Sequence, residues 1–171
     1  TLFLRSNKNQ GLTKSLNKAI KTCDSKYIIR QDCGDTSSIN RLRLQSEYLE
    51  NHSNCNLLTG NVDYYNRYGF LFTKKIDYLL AHENIIDIFR KGNPIVHGSV
   101  AIRNKTLVDI NMYNENLKTA QDYDLFWRIT ELGNKSVDSL ETTIYRYYYE
   151  RNSISEIRAK DQILNRIIIK E

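Results

Sequence analysis

The segment YIIR, Tyr27 to Arg30, is apolar on consecutive positions, the pattern of a strand buried on both faces rather than one with a wet side. It runs straight into QDCGD, where Asp32 and Asp35 bracket Cys33 and Gly34. Two carboxylates and a glycine at the end of such a strand have two readings. They lie at the rim of a sheet, where a metal ion or a phosphate-bearing ligand reaches them, or they shape a turn and cap the following helix, as Asx residues do.

Helical and extended patterns alternate along the rest of the chain. LFLR (Leu2 to Arg5) is a strand candidate, followed by an Asn/Gly turn at Asn7 to Gly11. Leu12, Leu16, Ala19 and Ile20 recur at helical spacing and predict an amphipathic helix from Gly11 to Thr22. TSS supplies caps for a helix over INRLRLQSEYLENH, in which Ile39, Leu42, Tyr48 and Leu49 share a face. NLLTGNVDYYN, GFLFTKK and PIVHGSVAIR read as strands, and IDYLLAHENIIDIFRKG as a helix closed by Gly92. AQDYDLFWRITELG is a helix with Leu125, Ile129 and Leu132 inward and Gly133 as its stop. TTIYRYYY is a Tyr-rich strand, and the tail from Ile154 onward is helical. No linker or repeat interrupts the pattern, so residues 1–171 are expected to form one α/β domain, a sandwich with a mostly parallel sheet.

A chain of 171 residues is long enough to bury a real core. Its net charge of +5 is dispersed, which suits an anionic small ligand or a membrane surface as well as nucleic acid. No apolar run approaches the roughly 20 residues that span a bilayer, and no signal peptide opens the chain, so the expected location is cytoplasmic. Cys23, Cys33 and Cys55 follow no CxxC spacing and argue against both a disulfide framework and a zinc site. The first residue is Thr1 rather than Met, and the chain is expected to be a piece of a longer one.

In α/β sheets ligands gather at the carboxyl ends of the strands. Asp32 and Asp35 follow YIIR at that end, His97 lies inside PIVHGSV, and Asp122 opens the helix after NMYNENLKT. Each has a structural alternative: Asp32 and Asp35 as turn residues, His97 as a satisfied strand histidine and Asp122 as a carboxylate favoured by the helix dipole; Arg146, in the Tyr-rich strand, either meets a phosphate or stacks on its tyrosine neighbours.

The string NKNQGLTKSLNKAIKTCDSKYIIRQDCGDTSSINRLRLQ resembles the second half of the nucleotide-binding region of family 2 inverting glycosyltransferases. That region reads N-x-G-L, a helix with A-L-N, a strand closing on R-x-D-x-D-D and a helix opening R-L-x-x-Q. The matches are Asn9, Gly11, Leu16, Asn17, Arg30, Asp32, Asp35, Arg41, Leu42 and Gln45. Further on, IVHGSVAIR is similar to the family's I-x-H-x-S-x-x-x-R segment, AQDYDLFWRI to its E-D-Y-D-L-W-x-R helix and YRYYYERNSIS to its Y-R-x-H-x-x-S-x-S strand.

The resemblance implies a GT-A-like α/β/α fold and transfer, with inversion, from a nucleotide-diphosphate sugar to a hydroxyl of a saccharide or lipid-linked saccharide. Surface polysaccharide or lipopolysaccharide synthesis is the implied setting, with peripheral contact at the inner face of a membrane and no nucleic acid partner. It assigns Asp122 as catalytic base. Asn9, Gly11, Arg30, Asp32, Arg41, His97 and Arg146 become donor-binding residues, and Asp32 and Asp35 ligands of Mg²⁺ or Mn²⁺. Such an ion neutralises charge building on a diphosphate leaving group, and a carboxylate opposite takes the acceptor's proton.

The chain departs from the family pattern at Gly34, where a second aspartate is usual, at Gln121 in place of Glu, and at Tyr148 or Tyr149 in place of His. The family's opening strand and D-G-S segment are expected to precede Thr1. A catalytically inactive binding domain of the same fold is the alternative. An RNA-recognition module, loosely suggested by TLFLRSN and RYGFLF, is about half this length and leaves the acidic constellation unexplained.

Overall fold

A computed structural model describes residues 3–76, 84–133, 135–150 and 159–170. Within them the chain runs α1 (Leu12–Thr22), β1 (Tyr27–Ile29), β2 (Thr36–Ser37), α2 (Arg41–Asn51), β3 (Leu57–Asn66) and β4 (Gly69–Lys74). It continues with α3 (Ile85–Lys91), a single 3-10 turn at His97–Ser99, β5 (Ala101–Arg103), α4 (Asn104–Asp109), α5 (Gln121–Thr130), β6 (Val137–Tyr148) and α6 (Ala159–Lys170). Residues 77–83 of the expected helix closed by Gly92, and 154–158 of the expected tail helix, lie outside the described residues. The strand expected at LFLR is not one: residues 3–6 carry no regular structure.

The strands form one sheet in the order β1-β5-β3-β6-β2, with β4 added to the far half of β3. Only β3 and β6 run parallel; the pairings β1–β5, β2–β6, β3–β4 and β3–β5 are antiparallel. The sheet is therefore mixed rather than mostly parallel. Burial on both faces reports that helices cover both sides and carries no information on strand direction. The two-residue connection between Asn66 and Gly69 admits only an antiparallel hairpin.

Helices on both sides make the expected sandwich. Ile28, Ile102, Leu57 and Val137 face a core built from Ile20 of α1, Phe89 of α3, Leu107 of α4 and Leu125, Phe126 and Ile129 of α5. On the reverse face Tyr27, Ile29, Ala101 and Leu58 pack against Leu49 and Tyr48 of α2. YII is thus covered on both faces, though only half-buried because β1 ends the sheet.

Two helices sit rotated from their expected faces. α1 buries Thr13, Asn17 and Ile20 and leaves Leu12 exposed. α2 buries Arg41, Gln45 and Leu49, one per turn, while Ile39 is 98% and Leu42 64% exposed. α5 turns Leu125 and Ile129 inward as expected, but Leu132 lies past the helix end and is exposed.

Candidate active site

The turn after β1 is held by its own backbone and by β6. The Asp35 N–H donates to the Asp32 carbonyl at 3.3 Å, closing a turn in which Gly34 has φ +88, a conformation that favours glycine over aspartate. Arg30 donates to Asp32 Oδ1 from Nε at 2.8 Å and pairs with the same oxygen from Nη2 at 2.6 Å. The two aspartates then part. Asp35 Oδ2 accepts from the Tyr145 hydroxyl at 2.8 Å and Oδ1 from the Tyr148 N–H at 2.9 Å. The same Tyr145 oxygen accepts the Asp32 N–H at 3.1 Å. Burial raises the Asp35 carboxyl above its ordinary pKa, against the lowering effect of those two donors.

A cleft of about 840 Å³ opens beside this turn. Its walls include Asn9, Gly11, Arg30, Asp32, His97 and Asp122, gathering from four separate stretches most of the residues singled out in the sequence. Gly11 caps α1 without any side-chain bond to the first N–H groups of the helix, and Lys14 stands a turn further in. That end of the cleft favours an anion.

Asp122 enters from the first turn of α5, behind Ala120 in a left-handed conformation. Its Oδ2 accepts from Asn93 Nδ2 at 3.0 Å, and Asn93 Oδ1 accepts the Ile95 N–H at 3.0 Å. His97 bonds through Nε2 to the Tyr113 hydroxyl at 2.7 Å and meets Phe126 edge-on. Burial, and then the Arg30 charge, hold its pKa well below the ordinary value, so the imidazole is neutral at pH 7. It can serve a ligand as a hydrogen-bonding group and not as a cation.

The loop forming the far wall is fixed from three sides. Asn17 makes paired bonds to the Tyr113 carbonyl (2.9 Å) and N–H (3.0 Å) and reaches Glu115 at 3.0 Å. Arg128 donates to the carbonyls of Ile110 (2.6 Å) and Met112 (2.7 Å) while paired with Asp124 at 2.7 Å. Asn165 of α6 bonds Thr119 Oγ1 at 2.6 Å.

Three expected site residues lie elsewhere. Arg41 is 1% exposed and donates to the carbonyls of Arg30 (2.9 Å), Gly98 (2.9 Å) and Val100 (3.3 Å), to Gln45 and to Ser37, with its guanidinium 4.9 Å from the Tyr145 ring centre. Burial lowers its pKa to about 10, which leaves it charged at neutral pH. It pins the two segments that carry Asp32 and His97 to one another and does not line the cleft. Arg146 is exposed on β6, opposite Thr36 and Asp63, and Asp35 faces β6.

Sequence reasoning missed Asn93, Tyr113, Glu115 and Tyr145. The signal for Tyr145 is Gly98: a Cβ there would stand 2.1 Å from the Tyr145 hydroxyl oxygen, so the glycine in HGS makes room for that ring.

An α/β sandwich with a polar cleft at the end of its sheet is the architecture of GT-A-like glycosyltransferase domains. The structure superposes on S. aureus TarS 1-349 with a TM-score of 0.63 at 15% identity, covering 96% of this chain and 46% of that one. Against the same protein in complex with UDP-GlcNAc the TM-score is 0.59 at 16% identity, over 84% of this chain and 40% of the other. The glycosyl transferase family 2 model matches residues 2–110, and the chain belongs to that family. It is 28% identical over 97% of its length to the uncharacterized glycosyltransferase MJ1057 of Methanocaldococcus jannaschii, covering 54% of that protein. It is 29% identical over 74% of its length to the amylovoran biosynthesis glycosyltransferase AmsE of Erwinia amylovora, covering 47% of it. The chain thus spans about half the length of these curated relatives.

Proposed function

We propose that this domain carries the catalytic half of an inverting transferase that moves a sugar from a nucleotide-diphosphate sugar to a saccharide hydroxyl in polysaccharide assembly. The observation that carries the reading is that Asp32 and Asp122, 90 positions apart by number, wall one cleft together with the uncapped amino end of α1. TarS has been solved with UDP and with UDP-GlcNAc, and AmsE is named for amylovoran biosynthesis. The first supports a nucleotide-sugar donor and the second a glycan product.

The roles follow from position. The amino end of α1, with Asn9, Gly11 and Lys14, takes the diphosphate, and Arg30 and neutral His97 orient the donor from below. Asp122 removes the proton of the attacking hydroxyl. That oxygen bonds to the anomeric carbon from the side opposite the leaving group, the bond from that carbon to the phosphate oxygen breaks, and the nucleoside diphosphate departs.

The donor set fits a divalent cation through one carboxylate rather than the expected pair. Among the described residues no group of three or more His, Cys, Asp or Glu is placed to hold a metal. Asp32 Oδ1 is engaged by Arg30, which leaves Oδ2 for a ligand, and both oxygens of Asp35 are committed to β6. Mg²⁺ or Mn²⁺ accepts so few protein ligands when phosphates and water complete its shell. When bound it supplies charge neutralisation to the leaving diphosphate.

Among the described residues no helix is long and apolar enough to cross a membrane. The net charge of +5 favours peripheral contact with an anionic inner leaflet.

Titrating the whole protein with UDP-sugars, with and without Mn²⁺, and scoring release of nucleoside diphosphate tests this reading. Metal-dependent donor binding should be lost in Asp32→Ala and largely kept in Asp35→Asn. Donor binding without turnover for any UDP-, GDP- or dTDP-sugar would instead mark an inactive binding domain, a reading that Gly34 and the engaged Asp35 favour.

A further inference from the structure

Among the described residues three non-glycines have a left-handed backbone, Asn111 (φ 60), Met112 (φ 57) and Ala120 (φ 57), and all lie in the 111–120 segment, whose later half walls the cleft. A side chain as bulky as that of Met112 is strained in this conformation and persists there only where its surroundings hold it. Here Arg128 does so, donating to the carbonyls of Ile110 and Met112 on either side of Asn111. The next residue is Tyr113, 5% exposed, whose own carbonyl and N–H are both bonded to the Asn17 side chain. The strained turn and its two anchors set one hydroxyl in place, 2.7 Å from Nε2 of His97.

That bond has a direction. Burial holds the Tyr113 phenol above its ordinary pKa, so it keeps its single proton. The other group beside the hydroxyl is the Arg30 guanidinium, which can only donate and therefore meets the oxygen lone pairs. Nε2 is then the acceptor left for the phenol proton. Were Nε2 protonated instead, that proton would be buried without an acceptor, which is the costly arrangement. A neutral imidazole carries one N–H, so with Nε2 accepting, the proton sits on Nδ1. His97 lines the cleft and none of the described residues bonds Nδ1, which leaves Nδ1–H for a ligand.

We propose that Tyr113 is a positioning residue that holds His97 as the Nδ1–H tautomer, and that this N–H donates to a diphosphate oxygen of the donor. The tautomer decides what the imidazole can do. With the proton on Nδ1 that atom gives a hydrogen bond to an oxyanion and cannot take a proton. With the proton on Nε2, Nδ1 would be a second base in the cleft that holds Asp122. The diphosphate as ligand rests on the proposed transferase activity, whereas the tautomer does not.

The test is ¹⁵N NMR of the histidine rings in the whole protein at pH 8, where two-bond ¹⁵N–¹H couplings tell Nδ1–H from Nε2–H and the His97 signals are assigned by their loss in His97→Asn. Affinities for UDP, GDP and dTDP are measured in parallel by calorimetry. The parent protein should show His97 as Nδ1–H. Tyr113→Phe keeps the buried ring and removes only the hydroxyl. It should release the tautomer toward Nε2–H and weaken binding of the preferred nucleoside diphosphate by about fivefold to tenfold, since only the Nδ1–H fraction stays competent. Added to His97→Asn, the same substitution should weaken binding no further. Nε2–H in the parent protein, or an Nδ1–H form that Tyr113→Phe leaves in place, overturns the assignment. A lower urea midpoint with tautomer and affinity unmoved does so too, and would make the hydroxyl a packing contact. The Nδ1–H form in a protein that binds none of the three nucleotides would sink the donor role together with the transferase reading and leave the Tyr113–His97 pairing standing.

Discussion

Asn93 reaches Asp122 across 29 positions of sequence, donating Nδ2–H to Oδ2 at 3.0 Å, while its own Oδ1 is held by the Ile95 N–H. The second bond fixes which end of the amide meets the carboxylate. Asn93 therefore acts as a positioning residue for the proposed base. Replacing it with Ala should lower kcat by about tenfold, the scale of a hydrogen bond to a charged group, with donor affinity unchanged. Steady-state kinetics on Asn93→Ala check this, and an unchanged kcat would reduce Asn93 to a loop contact.

Gly98 and Tyr145 occupy adjoining space that a methyl group cannot share. A Cβ at position 98 would meet the Tyr145 hydroxyl oxygen at 2.1 Å, and that hydroxyl holds both Asp32 and Asp35. Gly98→Ala should cost about 1–3 kcal/mol, as overpacking does, and weaken donor binding because the turn loses its anchor. Paired with Tyr145→Phe, which removes the hydroxyl, the substitution should cost less than the sum of the two singles in urea unfolding.

Arg41 is fully buried with neutral partners, so its substitution separates two roles. Arg41→Met leaves the carbonyls of Arg30 and Gly98 without the Arg41 donor, while that of Val100 keeps the Arg30 N–H, at about 2 kcal/mol or more in total. A donor ligand would behave differently, with donor affinity falling and denaturation midpoints unmoved. Chemical denaturation beside UDP titration of the folded fraction distinguishes the two.

His97 gives stability a pH dependence of known sign. Its folded pKa lies well below 6.5, so below pH 6.5 the unfolded chain takes up a proton that the folded protein refuses. Stability should fall as pH drops from 7 toward 5, with His97 contributing up to about 1.4 kcal/mol per pH unit. Urea midpoints at pH 7.5, 6.5 and 5.5 should show a shallower slope in His97→Asn; an equal slope in both proteins would place the proton elsewhere.

What could be read from the sequence was order and chemistry, and what escaped was orientation. The segments carrying Asn9, Arg30, His97 and Asp122 were recognisable one by one, and a sheet needed only to bring their ends together. α2 was misjudged because helical periodicity counts apolar residues, whereas this helix buries Arg41 and Gln45 to satisfy carbonyls at the end of β1 and before β5. Asp35 looked equivalent to Asp32. Its partner, Tyr145, lies 110 positions away, and no local pattern announces a bond of that span.

Asp122 is proposed to act on the acceptor's proton and not on donor binding. Single-turnover transfer by Asp122→Asn, measured beside its UDP-sugar affinity, separates the two roles. Asp124 is no neutral comparison, since it anchors Arg128 and through it the 110–112 loop, so Asp87→Asn, an exposed carboxylate on α3 paired only with Arg90 among the described contacts, serves as the control. General-base catalysis contributes about 10²–10⁴-fold, so the rate should fall at least a hundredfold with affinity held. A rate within about threefold of the parent enzyme, a difference under 1 kcal/mol in barrier, would contradict the account.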